Sequence, residues 1–315
     1  MNRAALVAAA RDSIARGSKS FAAASRLFAR ATRERAWLLY AWCRACDDLA
    51  DGQDMGHGRR AVDDPMARLE TIRSLTEVAL RGEAAGRPAF DALRLVVAEC
   101  AIPHEYPRDL VRGFALDAVS FQPRDEDDLY RYCYHVAGVV GVMMAIIMGV
   151  DPEEESVLDR ACDLGIAFQL ANIARDIGED AAAGRCYLPE SWLAEAGIAP
   201  GHEMSAEHRP QLASLARRLA ERAARYEASA RHGTPALGFR SAWAVLAAAG
   251  IYGDIAREVA RLGEHAWNGR VTTSRAAKLG WILRAFGEAV ARRWLWREPS
   301  SREGLWARPR KTAPD

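Results

Sequence analysis

Residues 167–180 read AFQLANIARDIGED, and within them Gln169, Asn172, Asp176 and Asp180 recur at steps of three, four and four. That spacing stacks side chains on one face of an α-helix. Around the row stand Ile166, Phe168, Leu170 and Ile173, and an amide left unpaired among such residues costs roughly 1–3 kcal/mol. A polar row on an otherwise apolar helix asks for a ligand or for a hydrogen-bond network of its own, and spacing alone leaves both readings open. Carboxylate and amide oxygens in this pattern suit Mg²⁺, which is usually held through one or two carboxylates and completed by water and substrate phosphate.

A second row lies upstream, in residues 40–51, YAWCRACDDLAD, where Tyr40, Arg44, Asp47 and Asp51 follow at four, three and four, with Asp48 beside them. Stacked carboxylates repel, and a cation between them relieves the repulsion. The same D-D-x-x-D pattern also describes a solvated acidic face. Two such helices facing each other would clamp Mg²⁺-bound diphosphate, with Arg44 and Arg175 neutralising phosphate oxygens bidentately. Neutralised diphosphate leaves as an anion from an allylic carbon, and the carbocation it leaves behind needs a dry, apolar pocket. Residues 136–150, VAGVVGVMMAIIMGV, can supply one wall of it, with Ala137, Gly138 and Gly141 permitting close approach. Plain core packing explains the same run. Tyr130, Tyr132 and Tyr134 just before it bring hydroxyls and π-faces to phosphate or cation.

No stretch alternates as a strand does, so the chain is expected to be all-α. Helices are expected over residues 2–16, 20–29, 32–51, 65–81, 88–100, 107–119, 125–148, 153–181, 189–196, 210–230, 235–261 and 273–297, broken at GQDMGHGRRAVDDP from Gly52 and at other Gly/Pro-rich turns. Nothing reads as a domain linker: residues 1–297 are expected to form one domain, and the Pro-, Ser- and Arg-rich residues 298–315 a flexible tail. Lys and Arg number 43 against 42 for Asp and Glu, a net charge of +1 that offers no field for nucleic acid. The pairs Arg217-Arg218 and Arg292-Arg293 read as solvated helix faces. Six cysteines without a preceding signal peptide read as reduced thiols, and Cys43 and Cys46, although a C-x-x-C pair, lack the second pair or βαβ context of a zinc or redox site. The apolar run 136–150 is shorter than the ~20 residues that span a bilayer, which favours a buried helix.

Taken together, SKSF at 18–21, YAWCRACDDLAD at 40–51, YRYCYHVAGVVG at 130–141 and FQLANIARDIGEDAAAGRCYLP at 168–189 resemble the head-to-head trans-isoprenyl diphosphate synthases: squalene, dehydrosqualene and phytoene synthases. The likeness runs from Gly17 to about Phe286, and the wording is most similar to the bacterial phytoene synthases. It implies a single-domain isoprenoid synthase helical bundle with a central apolar cavity. Carried over residue by residue, it implies metal ligation by Asp47, Asp51, Asn172 and Asp176, supported by Asp48 and Asp180. Diphosphate contacts fall on Ser18, Lys19, Ser20, Tyr40, Arg44, Gln169, Arg175 and Tyr252. Asp47, Asp51 and Asp176 would be the catalytic carboxylates, with Tyr132 or Tyr134 handling the cation or its departing proton. Some relatives carry a histidine directly before SKSF, where this chain has Gly17.

The implied reaction joins two geranylgeranyl diphosphates through a cyclopropyl intermediate, prephytoene diphosphate. It releases two diphosphates and gives 15-cis-phytoene, the first committed step of carotenoid biosynthesis. The alternative is the sister chemistry on farnesyl diphosphate, giving squalene, dehydrosqualene or presqualene diphosphate. The cofactor expected is Mg²⁺, or Mn²⁺ in its place, and no NADPH, since no glycine-rich dinucleotide fingerprint is found. The expected setting is cytoplasmic, peripherally associated with the inner face of the membrane, with other carotenoid-pathway enzymes as neighbours and no nucleic acid.

Overall fold

Asn2, Asp64, Asp125 and Ser274 each accept a hydrogen bond from the backbone N–H three residues ahead, satisfying an otherwise orphaned donor and starting a helix. Pro65, Pro88 and Pro210 stand in first turns, where a missing N–H costs nothing. The computed structural model describes residues 1–52, 64–298 and 300–310, so most of the break expected after Gly52 lies outside the described residues. Among the described residues there are thirteen α-helices and no strand, as the missing alternation implies. They are α1 (Arg3–Gly17), α2 (Lys19–Ala24), α3 (Arg30–Asp51), α4 (Pro65–Leu80), α5 (Pro88–Cys100), α6 (Glu105–Ala118) and α7 (Glu126–Cys133). There follow α8 (Val139–Ile147), α9 (Glu155–Ala182), α10 (Glu190–Glu195), α11 (Arg209–Arg231), α12 (Phe239–Leu262) and α13 (Arg275–Leu295).

The long helix α9 packs against α7, α8, α11 and α12, while α3 packs against α1, α4 and α5. Helix α8 touches both α9 and α3 and so joins the two acid-bearing helices. Its contact with α9 is backbone on backbone: a Cβ added at Gly141 would lie 2.3 Å from the Ala161 carbonyl oxygen. One added at Gly165 would lie 2.3 Å from that of Ala137. The single helix expected over 125–148 is interrupted at this crossing, where residues Tyr134–Gly138 form a π turn between α7 and α8. From within it onward, Val136, Val140, Met144 and Met148 recur at steps of four and stay half-buried, an apolar row with partial access to solvent.

Two expectations need correction. Residues 300–310 do not fray but strap across α9. Arg302 donates to Asp163 at 2.9 and 2.7 Å, Arg308, only 2% exposed, to Asp159 at 2.9 Å, and Arg310 to both Asp159 oxygens at 2.6 and 2.7 Å. The Trp306 N–H also donates to Tyr226 Oη at 3.0 Å. Asp159 and Asp163 sit on the buried face of α9, and carboxylates there require cations within hydrogen-bond reach. Arg292 likewise is buried rather than solvated, donating to the carbonyls of Ala289 and Leu237 at 2.6 and 3.1 Å.

The α8–α9 crossing predicts that Gly165→Ala overpacks the backbone contact and lowers stability by about 1–3 kcal/mol. Gly280→Ala, on α13 where a Cβ meets nothing within 4 Å, should raise it by roughly 0.5–1 kcal/mol. Chemical denaturation of the two variants beside the parent chain checks the opposite signs.

Candidate active site

The acid row of α3 begins beside α1. The backbone at Gly17 lies so close that a Cβ there would fall 2.5 Å from Tyr40 Oη and 3.6 Å from Arg44 Nε. A histidine at 17 would therefore displace Tyr40 as it now stands, which gives the departure from the family pattern a steric meaning. Tyr40 Oη and Arg44 Nε are both buried without a hydrogen-bond partner. Ser18 follows, its Oγ accepting from the Phe21 N–H at 3.3 Å. The backbone of Lys19 and Ser20 opens α2, while their side chains lie outside the described residues.

Further along α3, Asp47 and Asp48 lie 3.6 and 3.8 Å from the Arg44 guanidinium. Asp47 keeps 42% of its side chain exposed, yet protein walls surround it closely, so it meets water only in a confined space. That desolvation pushes its carboxyl up to about 7, against Arg44, with Asp51, Asp48 and Asp117 adding to the rise. At the end of α3, Asp51 accepts from Arg185 at 3.1 Å. Arg185 belongs to the segment just after α9, so this pair ties the acidic end of α3 to the acidic end of α9.

On α9 itself, Gln169 and Asn172 are half-buried. Asp176 is gripped by its neighbour Arg175 at 2.7 and 2.5 Å and approached by Arg270 at 3.3 Å. Asp180 lines a small crevice together with Ile177, Arg185, Tyr187 and Glu203. Tyr252 of α12 stacks on Phe168, ring centroids 4.3 Å apart. Among the described residues no three His, Cys, Asp or Glu side chains converge as a ready metal cluster. Asp51 and Asp176 are each paired with an arginine, Arg185 and Arg175.

The three tyrosines go to different places. Tyr132 donates to Asp117 of α6 at 3.0 Å, as does Tyr187, and the two rings stack at 4.7 Å. Phe121 also stacks on Tyr132, ring centroids 6.1 Å apart. Burial and the Asp117 carboxylate push the Tyr132 hydroxyl well up, so it keeps its proton. Burial also pushes Asp117 up, against hydrogen bonding from Tyr187 and the charge of Arg185. Tyr134 points elsewhere: its hydroxyl donates to Asp109 at 2.5 Å and its ring lies 5.6 Å from Trp306 of the strap. Tyr130 pairs with Glu126 and packs on Tyr226. Cys43 and Cys46 are free thiols that burial pushes up, the opposite of a reactive pair.

Asp117, Arg185 and Tyr187 thus belong to the acidic end although sequence reasoning passed over them. Arg185 and Tyr187 stood in the RCYLP wording, but off any helical row, and Asp117 of α6 belonged to neither acid row.

With this geometry in hand, comparison with known proteins is informative. The family described as squalene/phytoene synthase matches residues 14–277. A 15-cis-phytoene synthase of a Paracoccus species is 46% identical over 304 residues, covering 96% of this chain and 98% of the relative. One from Pantoea ananas is 45% identical over 311 residues, covering 98% and 100%. Among solved structures, a dehydrosqualene synthase superposes with a TM-score of 0.80 at 26% identity, covering 92% of this chain and 98% of that one.

The shared carboxylate gives a prediction about stability. Tyr187→Phe removes one of the two phenol donors to Asp117 and should lower unfolding free energy by about 1–3 kcal/mol, read from urea midpoints.

Proposed function

This chain belongs to the squalene/phytoene synthase family, and on that premise we propose that it is a 15-cis-phytoene synthase, joining two geranylgeranyl diphosphates head to head with release of two diphosphates. The observation that carries the reading is Arg185, which follows the acid row of α9 and donates to Asp51 at the end of the row on α3, with Tyr40 Oη and Arg44 Nε, earlier on α3, buried without a hydrogen-bond partner. Buried donors without partners favour an anionic ligand of many oxygens, as a diphosphate is.

The donor set suits a hard divalent cation: Asp47, Asp51, Asn172 and Asp176 offer oxygens and no thiol or imidazole. Bound Mg²⁺ would supply Lewis-acid neutralisation of the leaving diphosphate. The chain's own part is separate. Arg44 and Tyr40, next to the SKSF backbone, bind and orient a diphosphate, with Gln169 and Arg175 doing so from α9. The half-buried row Val136, Val140, Met144 and Met148 gives the prenyl chain an apolar wall and excludes water from the cation formed on ionisation. Tyr132, its proton held by Asp117, offers its phenolic oxygen to that cation or to the migrating charge of the cyclopropyl intermediate. Tyr134 is a packing residue between Asp109 and the strap.

The likeness to a dehydrosqualene synthase structure favours one second reading, the same steps on farnesyl diphosphate. Incubation with Mg²⁺ and each prenyl diphosphate, without nicotinamide, decides between them by the hydrocarbon formed. Phytoene is expected, and absence of diphosphate release from both substrates would overturn the reading. The apolar substrate and product also support peripheral work at a membrane beside other carotenoid-pathway enzymes. The helical stretch Glu126–Ile147, the one candidate span among the described residues, is 61% buried and serves as core.

Asp47→Asn and Asp176→Asn should each lower turnover by at least about 100-fold with the helical circular dichroism unchanged, and chelation of Mg²⁺ should abolish turnover of the parent chain reversibly. Tyr132→Phe should lower kcat by about 10-fold or more, whereas Tyr134→Phe should mainly lower the melting temperature. Steady-state assays and thermal melts on the pair test the division.

A further inference from the structure

Helix α13 presents Leu279, Leu283, Phe286, Val290 and Trp294 at steps of four, three, four and four, all exposed, with Leu283 at 66% and Trp294 at 78%. Leu279, Leu283, Val290 and Trp294, with Phe286 between them packed edge-on against Phe239 and Trp243 of α12, make a continuous stripe, unlike the scattered exposed residues normal on a soluble surface. The opposite edge of the helix is firmly seated on α12: a Cβ at Gly250 would fall 2.1 Å from the Trp281 ring, and Trp243 Nε1 donates to the Ile282 carbonyl at 2.8 Å. The stripe is therefore the outward face of a helix already fixed, rather than one awaiting its place in the core.

Charge decides what covers it. The single carboxylate of α13, Glu288, lies away from the stripe and is held by Arg231 and Arg284 at 2.6 and 2.8 Å. Arg275, Arg293 and Arg297 flank or end the stripe and have no carboxylate partner among the described residues. We infer that this face of α13 docks on an anionic lipid surface, with the apolar stripe in the headgroup boundary, Trp294 at the interface and the three arginines against lipid phosphates. A second copy fits less well, because antiparallel pairing of two such helices sets Arg275 against Arg293 of the other and brings like charges together. The inference stands on α13 alone and does not depend on turnover of prenyl diphosphates.

Flotation of the full chain with phosphatidylcholine vesicles, with and without phosphatidylglycerol, tests it. The parent chain should float with the anionic vesicles and much less with the neutral ones. Leu283→Glu combined with Val290→Glu should lower the floated fraction by at least about tenfold. Helical circular dichroism and turnover of detergent-dispersed substrate should stay at parental values, which separates loss of docking from loss of fold or of activity. A parent chain that stays at the bottom of the gradient with both vesicles, or a double variant that floats like the parent, overturns the inference. So does sedimentation equilibrium showing a parental dimer that the double variant abolishes, since the stripe would then belong to a second copy.

Discussion

Carboxylates inside a helical bundle must find cations, and helix α9 carries more of them than any apolar environment tolerates unaided. Its first half holds Glu155, Asp159 and Asp163, and its second half holds Asp176, Glu179 and Asp180. The two halves are relieved differently. Arginines from residues 300–310 neutralise the first half permanently, burying Arg308 to do so. The second half is met at its own end by Arg175, its immediate neighbour in the helix, and by Arg270 from beyond α12. One helix thus has a closed electrostatic half that holds the fold and an open half suited to a reaction that brings in and releases anions.

Close packing at the α8–α9 crossing makes that division geometric. Because Gly141 and Gly165 let the two backbones touch, α8 lies rigidly along α9, and its position fixes where the half-buried row from Val136 to Met148 stands. The π turn at 134–138 falls at the same crossing, with Tyr132 just before it directed to the acidic end and Tyr134 within it directed to the strap. Two tyrosines two residues apart thus bond to carboxylates two turns apart on α6, Asp117 and Asp109.

Local signals made much of this readable from the chain. Helix boundaries followed from capping Asn, Asp and Ser and from first-turn prolines, and both acid rows followed from helical spacing. What escaped was everything set by meetings between distant segments. Asp117 gains its meaning from Tyr132 and from Tyr187, 70 residues on from Asp117, and neither periodicity nor composition marks such a pair. The strap looked like a frayed tail because arginine, serine and proline suit solvent, and only the buried face of α9 shows why those arginines leave it.

The strap also bears on how the chain is made. Asp163 and Arg302 are separated by 139 positions, and Asp159 and Arg310 by 151. As synthesis proceeds from the amino end, α9 emerges long before its neutralising arginines, so its inner carboxylates must stay hydrated or protonated until the strap has left the ribosome. Final consolidation of the bundle for that reason waits on the strap, long after α9 itself has been made.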